Sequence, residues 1–353
     1  MSKFTDIDNN FKIETEIKRD NLKFYDAESE PFRIYGIMRE NDKFCRMPEE
    51  TAKSISGGVH FLYSHTAGGR VRFVTDSAYV AVSAELDVIT RNSDFPLSGT
   101  AGMDMYADDG KGQIYIGTFT PPMTMENSYE SVIDFHGKML RTVTINLPIY
   151  SNTKKLYIGL EEGALLKSAP DYKYEKPIVY YGSSITQGGC ASRPGNTYQA
   201  IISRKLDCNF LNLGFSGSAK GEETMADYIA SLDMKIFVLD YDANAPTLEH
   251  LQNTHERMFK IIRSKHPDLP IIILSRPFAR LDDKNRKRMM CVRSTYENAM
   301  NSGDKNVYFI SGADLFEPEV WETATVDNCH PNDSGFVSMA KVIGKVIEEI
   351  LKK

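Results

Sequence analysis

Long apolar runs, a basic excess and paired cysteines are all missing from this sequence. No stretch of about 18 apolar residues occurs, which excludes a membrane-spanning helix. Acidic residues outnumber basic ones by 48 to 42, and the net charge of −6 argues against binding to nucleic acid or to anionic membranes. The five cysteines are widely spaced and include no CxxC pair, so we expect neither a disulfide framework nor a zinc site.

The first residues, MSKFTDIDNNFKIETEIKRD, are polar and charged and lack the apolar segment of a secretion signal. We therefore expect a cytoplasmic protein, or a secreted one if the chain is a trimmed mature form. Nothing in the sequence indicates an oligomeric state.

Hydrophobic periodicity changes near the middle of the chain. Residues 1–168 contain short segments that alternate apolar and polar residues, such as GQIYIGTF and RTVTINLP, with turn sequences such as DDGKG between them. This pattern predicts a domain built as an antiparallel β-sandwich similar to a jelly roll. No convincing amphipathic helix is expected in it.

Residues 169–353 alternate strand-like and helix-like segments after the polar, proline-containing stretch KSAPDYKYEKP. Continuous apolar strands separated by helices predict a second domain with a parallel sheet covered by helices on both faces. The predicted strands are Ile178–Tyr181, Phe210–Leu213, Ile236–Asp240, Ile271–Leu274 and Val307–Ile310.

Chemically useful residues follow several of these strands, at the edge where such sheets bind ligands. Ser184 follows the first strand, within GSSITQGG, and a serine needs a nearby base to act as a nucleophile. Of the seven histidines, His330 is the one in a loop at this edge. Asp327 precedes it by three residues, close enough to orient the imidazole. These residues predict a Ser-His-Asp site for acyl transfer.

Such a site also needs hydrogen-bond donors for the oxyanion that forms on the substrate. The candidates are the backbone N–H groups of Ser184 and Gly214 and the side-chain amide of Asn244. A structural alternative exists for each: Ser184 could cap a helix, Gly214 could serve tight backbone geometry, and Asn244 could be a turn residue. We interpret the adjacent Ser183 as the capping residue.

Other polar residues have less specific patterns. Asp104, with Asp108 and Asp109, superficially resembles a calcium loop, but the spacing of an EF-hand is absent and we interpret the segment as a solvated hairpin turn. We interpret Arg276, after the fourth strand, as part of a structural salt bridge, with substrate contact as the alternative. Cysteines 190 and 329 flank the predicted site, and we expect inert thiols rather than a redox pair.

Four segments in order, GSSIT, NLGFSG, DYDAN and DNCHP, resemble the conserved blocks of the SGNH (GDSL-like) hydrolases. The segment Gly102–Tyr106 (GMDMY) resembles the two-domain GxDLY type of that superfamily. Ser183 stands where the family's Gly-Asp-Ser motif has its Asp, and the block around Asn244 departs from the usual Gly-x-Asn-Asp. The resemblance implies a flavodoxin-like sheet, Ser-Asp-His chemistry on esters through Ser184, and no metal or cofactor.

The resemblance further implies the substrate, an acyl ester and most simply an acetyl ester of a sugar or oligosaccharide. We therefore expect a serine esterase whose partner is a small-molecule or oligosaccharide ester. Two alternatives stay open: an acyltransferase that uses the same three residues, and a carbohydrate-binding protein without catalytic activity.

Overall fold

Short strands build the first part of the chain in the computed structural model, which describes residues 13, 16–278 and 282–353. These strands are β1 (Leu22–Asp26), β2 (Arg33–Tyr35), β3 (Met38–Glu40), β4 (Lys43–Cys45), β5 (Arg70–Thr75), β6 (Tyr79–Glu85), β7 (Met103–Asp108), β8 (Ile114–Phe119), β9 (Ser128–Asp134), β10 (Arg141–Asn146), β11 (Lys155–Glu161) and β12 (Leu166–Ser168).

Two antiparallel sheets face each other in this part. One has the strand order β1-β11-β6-β9, and the other has β12-β5-β10-β7-β8 with β2 also paired to β5. Alternate side chains of both sheets, among them Phe73, Val82, Ile145 and Ile158, are fully buried in one shared core. The predicted antiparallel sandwich is confirmed, and we call this part the β-sandwich domain.

The β-sandwich domain also contains short helices that the sequence did not predict: α1 (Glu49–Ile55), α2 (Gly57–Leu62) and α3 (Leu97–Thr100). Helices of four to seven residues are too short to produce a clear 3.6-residue period. Ala52 of α1 and Val59 of α2 are fully buried in a core shared with the second part of the chain.

Strands and helices alternate in the second part, which we call the α/β domain. Its strands are β13 (Tyr174–Gly182), β14 (Cys208–Gly214), β15 (Ile236–Asp240), β16 (Ile271–Leu274) and β17 (Val307–Ile310). Its helices are α4 (Ser184–Gln187), α5 (Tyr198–Leu206), α6 (Glu223–Ala230), α7 (Leu248–Lys265), α8 (Asp283–Asn301) and α9 (Asp333–Leu351).

The sheet of the α/β domain is parallel, with the strand order β14-β13-β15-β16-β17. This order is that of a flavodoxin-like sheet, as predicted, and its reversal lies at β13, where ligands bind in such folds. Val179 and Tyr181 pack with α6, α7 and α8, while Ile178 and Tyr180 pack with α5 and α9 on the opposite face. In the described residues, no helix is both long and apolar enough to cross a membrane.

Candidate active site

Ser184 is the first residue of α4, immediately after the carboxyl end of β13. The Oγ of Ser183 accepts a hydrogen bond from the Ile185 N–H at 3.2 Å, so Ser183 caps the helix as predicted. Because Ser183 already supplies the cap, the hydroxyl of Ser184 is available for another partner. Ser184 is 8% exposed, so the residue is not completely enclosed.

That partner is His330, which lies in the loop before α9. Ser184 Oγ is 2.8 Å from His330 Nε2, and His330 Nδ1 donates to Asp327 Oδ2 at 2.7 Å. The other oxygen of Asp327 accepts the backbone N–H groups of Cys329 at 3.0 Å and His330 at 2.7 Å. The loop therefore wraps around the carboxylate, and the structure brings Ser184, His330 and Asp327 together in that order.

The hydrogen bonds to Asp327 also set its charge. Partial burial raises the pKa of its carboxyl, but the N–H and ring of His330 outweigh this effect, and the pKa lies below its ordinary value. An ionised Asp327 at neutral pH fixes the proton of His330 on Nδ1, which leaves Nε2 free to accept the proton of Ser184.

The structure corrects the predicted role of Gly214. Its N–H donates to Asn212 Oδ1 at 2.8 Å, so this donor is already in use. A Cβ at Gly214 would lie 2.2 Å from the backbone nitrogen of Gln187 in α4. Glycine is therefore required here for the close approach of β14 to the helix that carries Ser184.

A free donor lies three residues further on, at the end of what we call the 214–217 turn (residues Gly214–Gly217). Gly217 has φ +67° and open space where a Cβ would be, and among the described residues no acceptor is bonded to its N–H. Gln187 Oε1 of α4 accepts the N–H of Ser216 at 3.0 Å, which fixes the turn beside the Ser184 helix.

Asn244 lies in a short 3-10 turn after β15 and contacts the same 214–217 turn. Its Nδ2 donates one hydrogen to the Phe215 carbonyl at 2.9 Å, and the second amide hydrogen has no partner among the described residues. Ser184, Gly217 and Asn244 thus each present an N–H group without an acceptor around the carboxyl ends of β13, β14 and β15.

The β-sandwich domain contributes aromatic side chains that sequence reasoning missed. The ring of Phe95 meets His330 edge-on with centroids 6.1 Å apart and contacts Tyr150 at 4.8 Å. The Tyr150 hydroxyl donates to the Ser184 carbonyl at 3.4 Å. More than 30 residues separate each aromatic ring from its partner in the α/β domain, so no local pattern could have revealed these contacts.

Asp104, from the GMDMY segment, is fully buried and does not belong to a solvated turn. It accepts from Asn146 at 2.8 Å, from Arg193 at 2.7 Å and from the Gly195 N–H at 2.9 Å, and so connects the two domains. Asp108 does form a turn, since it accepts the N–H groups of residues 110 and 112. No group of His, Cys, Asp or Glu suited to a metal ion occurs in the part of the chain that the structure describes.

A cavity of about 870 Å³ opens beside the loop of Asp327 and His330. Arg276 lines this cavity, and its guanidinium is not ion-paired to any described carboxylate, so the predicted salt bridge is not present. Trp321, the one tryptophan of the chain, is 43% exposed there, and its indole N–H donates to the Phe316 carbonyl at 2.7 Å. The other lining residues are Pro277, Phe278, Asp282, Asn285, Phe316, Glu322, Thr325, Val326 and Asn328.

The five cysteines are all unpaired in the structure. Burial, followed by the charge of Asp327, raises the pKa of Cys190 to about 12, and burial also raises the pKa of Cys329. A raised pKa disfavours the thiolate, which is the reactive form of cysteine.

Comparisons with known sequences match the two domains separately. The model of the GDSL-like lipase/acylhydrolase family matches residues 175–348. The model of the GxDLY domain, the N-terminus of SGNH-hydrolase-type esterases, matches residues 22–166. No curated protein sequence matches the chain.

Solved structures share the whole two-domain fold. A protein described as a GDSL-like lipase from Bacteroides ovatus has a TM-score of 0.85 and 27% identity over 94% of this chain and 98% of its own. A salicylyl-acyltransferase from a tetracycline biosynthetic pathway has a TM-score of 0.75 and 20% identity, with coverages of 94% and 98%. An acetyl xylan esterase from Butyrivibrio proteoclasticus has a TM-score of 0.58 and 14% identity, with coverages of 94% and 99%.

Proposed function

Since the chain belongs to the SGNH (GDSL-like) hydrolase superfamily, as a two-domain member with a GxDLY-type N-terminal domain, we propose that it is a serine esterase. The observation that carries this proposal is the connected set of Ser184, His330 and Asp327, with 2.8 Å between Ser184 Oγ and His330 Nε2. A buried serine that only capped a helix would not need a histidine held in this orientation by a carboxylate.

In the proposed reaction, Ser184 Oγ attacks the ester carbonyl while His330 Nε2 takes the hydroxyl proton. Asp327 stabilises the imidazolium that results. When the tetrahedral intermediate collapses, His330 passes the proton to the leaving alcohol and the acyl group stays on Ser184. Water, activated by the same histidine, then releases the acid and restores the serine.

We assign the oxyanion to three donors: the N–H of Ser184, the N–H of Gly217 and the free amide hydrogen of Asn244. Gly217 replaces Gly214 in this assignment because the N–H of Gly214 is bonded to Asn212. Each such donor contributes on the order of 3 kcal/mol to stabilisation of the transition state.

The substrate we propose is an acetyl ester of a carbohydrate. The cavity beside the loop of Asp327 and His330 supports this choice, since it combines the half-exposed indole of Trp321 with the polar groups of Arg276, Asp282, Asn285 and Asn328. Flat apolar faces suit the C–H faces of sugars, and carboxylate, amide and guanidinium groups suit their hydroxyls. The acetyl xylan esterase among the structural neighbours points to the same chemistry.

A second candidate is acyl transfer to an alcohol other than water, which the salicylyl-acyltransferase neighbour favours. The two reactions share the acyl-enzyme and differ only in the acceptor. A non-catalytic carbohydrate-binding protein is disfavoured, because the Ser184–His330–Asp327 hydrogen bonds would then have no use.

The nucleophile is tested with p-nitrophenyl acetate on the wild type, Ser184→Ala and Ser183→Ala. We expect Ser184→Ala to lower kcat by at least about 1,000-fold. Ser183→Ala is the matched control: it loses the cap of α4, which costs about 1 kcal/mol of stability, and keeps measurable turnover. Wild-type turnover in Ser184→Ala would contradict the proposal.

The substrate class is tested with a panel of acetylated mono- and oligosaccharides, by measuring acetate release with and without an added sugar alcohol. Acetate release that depends on Ser184 supports the hydrolase. Acetylated acceptor in place of acetate identifies the acyltransferase. Hydrolysis of p-nitrophenyl acetate without activity on any acetylated sugar would contradict the carbohydrate assignment.

A further inference from the structure

We propose that Arg46 of the β-sandwich domain is a positioning residue for the 214–217 turn and thereby supports the oxyanion site of the α/β domain. The inference rests on the proposed function, since it concerns the transition state of the Ser184 reaction. It assigns a role in turnover to the β-sandwich domain at a point where the sequence suggested none.

The guanidinium of Arg46 is buried directly against the end of β14. Arg46 is 2% exposed, and its Nη1 donates to the carbonyls of Asn212 at 3.1 Å and Gly214 at 2.5 Å. Its Nη2 donates to the Leu62 carbonyl at 2.7 Å. Its central carbon lies 4.6 Å from the centre of the Phe215 ring. Arg46 therefore holds the first half of the turn through both backbone and side chain.

Among the residues that the structure describes, no carboxylate balances this buried charge. No described carboxylate lies within ion-pair distance of Arg46, and its Nε is buried without a partner. Burial lowers the pKa of Arg46 to about 9, so the group still carries its charge at neutral pH. A buried cation paired only with carbonyls and an aromatic face is costly for stability. The position of this charge, against the carbonyls that lead into the 214–217 turn, is what sets Arg46 apart from other buried arginines.

The other hydrogen bonds of the 214–217 turn determine how a change at Arg46 would affect the free N–H of Gly217. The Phe215 N–H donates to the Gly182 carbonyl at 2.8 Å, and the Phe215 carbonyl accepts from Asn244. Without Arg46 the Gly214 carbonyl loses this donor, and the turn is then held only by the bonds of Phe215 and Ser216, so that Gly217 at its far end is free to shift. A displacement of about 1 Å at a catalytic donor is enough to lower a rate about 100-fold.

Arg70 provides a matched control within the same chain. It is also 2% exposed and comes from the β-sandwich domain, and both of its Nη atoms donate to the Phe210 carbonyl of β14, at 3.3 and 3.2 Å. Its central carbon lies 3.9 Å from the Phe210 ring centre. Arg70 thus makes the same kinds of contact to the same strand, but near the end opposite the 214–217 turn.

The test compares Arg46→Met and Arg46→Lys with Arg70→Met and Arg70→Lys in the full chain, alongside the wild type and Ser184→Ala. Melting temperature, kcat and KM for p-nitrophenyl acetate are measured, and also inhibition by phenylboronic acid, which adds to a serine as a tetrahedral anion. We expect Arg46→Met to lower kcat about 10- to 100-fold with KM within about threefold of wild type. Inhibition by the boronic acid should weaken in parallel, and Arg46→Lys should recover part of both losses.

Both Arg70 variants should lower the melting temperature while kcat stays within about threefold of wild type. If Arg46→Met does not fold, Arg46→Lys decides the question through the same kcat and boronic acid measurements. Arg46 variants that behave like the Arg70 variants would overturn the inference and leave the esterase proposal intact. A wild type without Ser184-dependent turnover would overturn both.

Discussion

At the residue scale, Asn244 does two things with one amide group. One hydrogen of its Nδ2 binds the Phe215 carbonyl at 2.9 Å, and the other has no described acceptor. The first bond locates the side chain against the 214–217 turn, which fixes the direction of the second hydrogen. An amide held in this way is ready for a developing oxyanion without further reorganisation.

We therefore predict that Asn244→Ala lowers kcat for p-nitrophenyl acetate about 100- to 1,000-fold with little change in KM, since the lost hydrogen bond forms fully only in the transition state. Steady-state kinetics measure both constants. Asn298→Ala is the control, because Asn298 is exposed on α8 and its amide binds Glu256. A loss of less than about threefold for Asn244→Ala would remove this residue from the oxyanion site.

At the scale of helices and strands, the predictions from the sequence were most accurate for buried strands. Strands β15, β16 and β17 have the predicted bounds, because every side chain of β15 and β16 is buried and a continuous apolar run is a strong signal. The order of strands then brought Ser184 and His330 together, as predicted. Helices α1 and α2 were missed because each is only about two turns long.

The details of the site were harder to predict than its location. We predicted Gly214 as the donor and did not consider Gly217, and only the hydrogen bond to the Asn212 side chain shows that the N–H of Gly214 is occupied. Arg46 reaches β14 across more than 160 residues of sequence. No local pattern marks such a contact, since any buried arginine looks like a surface residue until its surroundings are known.

The contact between α7 and α8 contains a buried histidine, His255, that is 1% exposed. Its Nδ1 lies 2.8 Å from Thr295 Oγ1, and its Nε2 is buried without a partner. Burial lowers the pKa of His255 to about 3, against a small opposing effect of Glu256. The histidine is therefore neutral in the folded protein over a pH range in which it is charged when unfolded.

This shift predicts a loss of stability in acid. Between pH 6.5 and 3 the unfolded chain binds one more proton at His255 than the folded chain, so the free energy of unfolding falls as the pH falls. We expect His255→Gln to reduce this fall by about 2 kcal/mol between pH 6.5 and 4.5, since the slope reaches at most about 1.4 kcal/mol per pH unit. Urea denaturation of the wild type and of His255→Gln at both pH values measures this difference, because the contributions of the other titrating groups cancel between the two proteins. Equal pH dependence in both would contradict the assignment.

At the scale of the whole molecule, the loop of residues 192–196 connects the β-sandwich domain to the two segments that carry Ser184 and His330. Asp104 of β7 binds Arg193 and the Gly195 N–H in the loop that follows α4. The same loop binds Asp333, three residues after His330, through the Ser192 N–H at 2.9 Å and the Asn196 amide at 2.8 Å. The β-sandwich domain is therefore part of the scaffold that holds the site, not a separate appendage.

The ion pair between the fully buried Asp104 and the partly buried Arg193 should couple the stability of the two domains. Burial raises the pKa of Asp104 and the charge of Arg193 opposes this, so Asp104 depends on Arg193 to be buried in its charged form. We expect Arg193→Met or Asp104→Asn alone to lower the free energy of unfolding by about 3–5 kcal/mol, and the double variant to cost clearly less than the sum. Chemical denaturation of the wild type, the two single variants and the double variant gives the four free energies of unfolding that this double-mutant cycle needs.

Asp134→Asn, which breaks the exposed pair with Arg19, is the control and should cost no more than about 1 kcal/mol. Additive losses at Asp104 and Arg193 would show that the pair is not what holds the domains together.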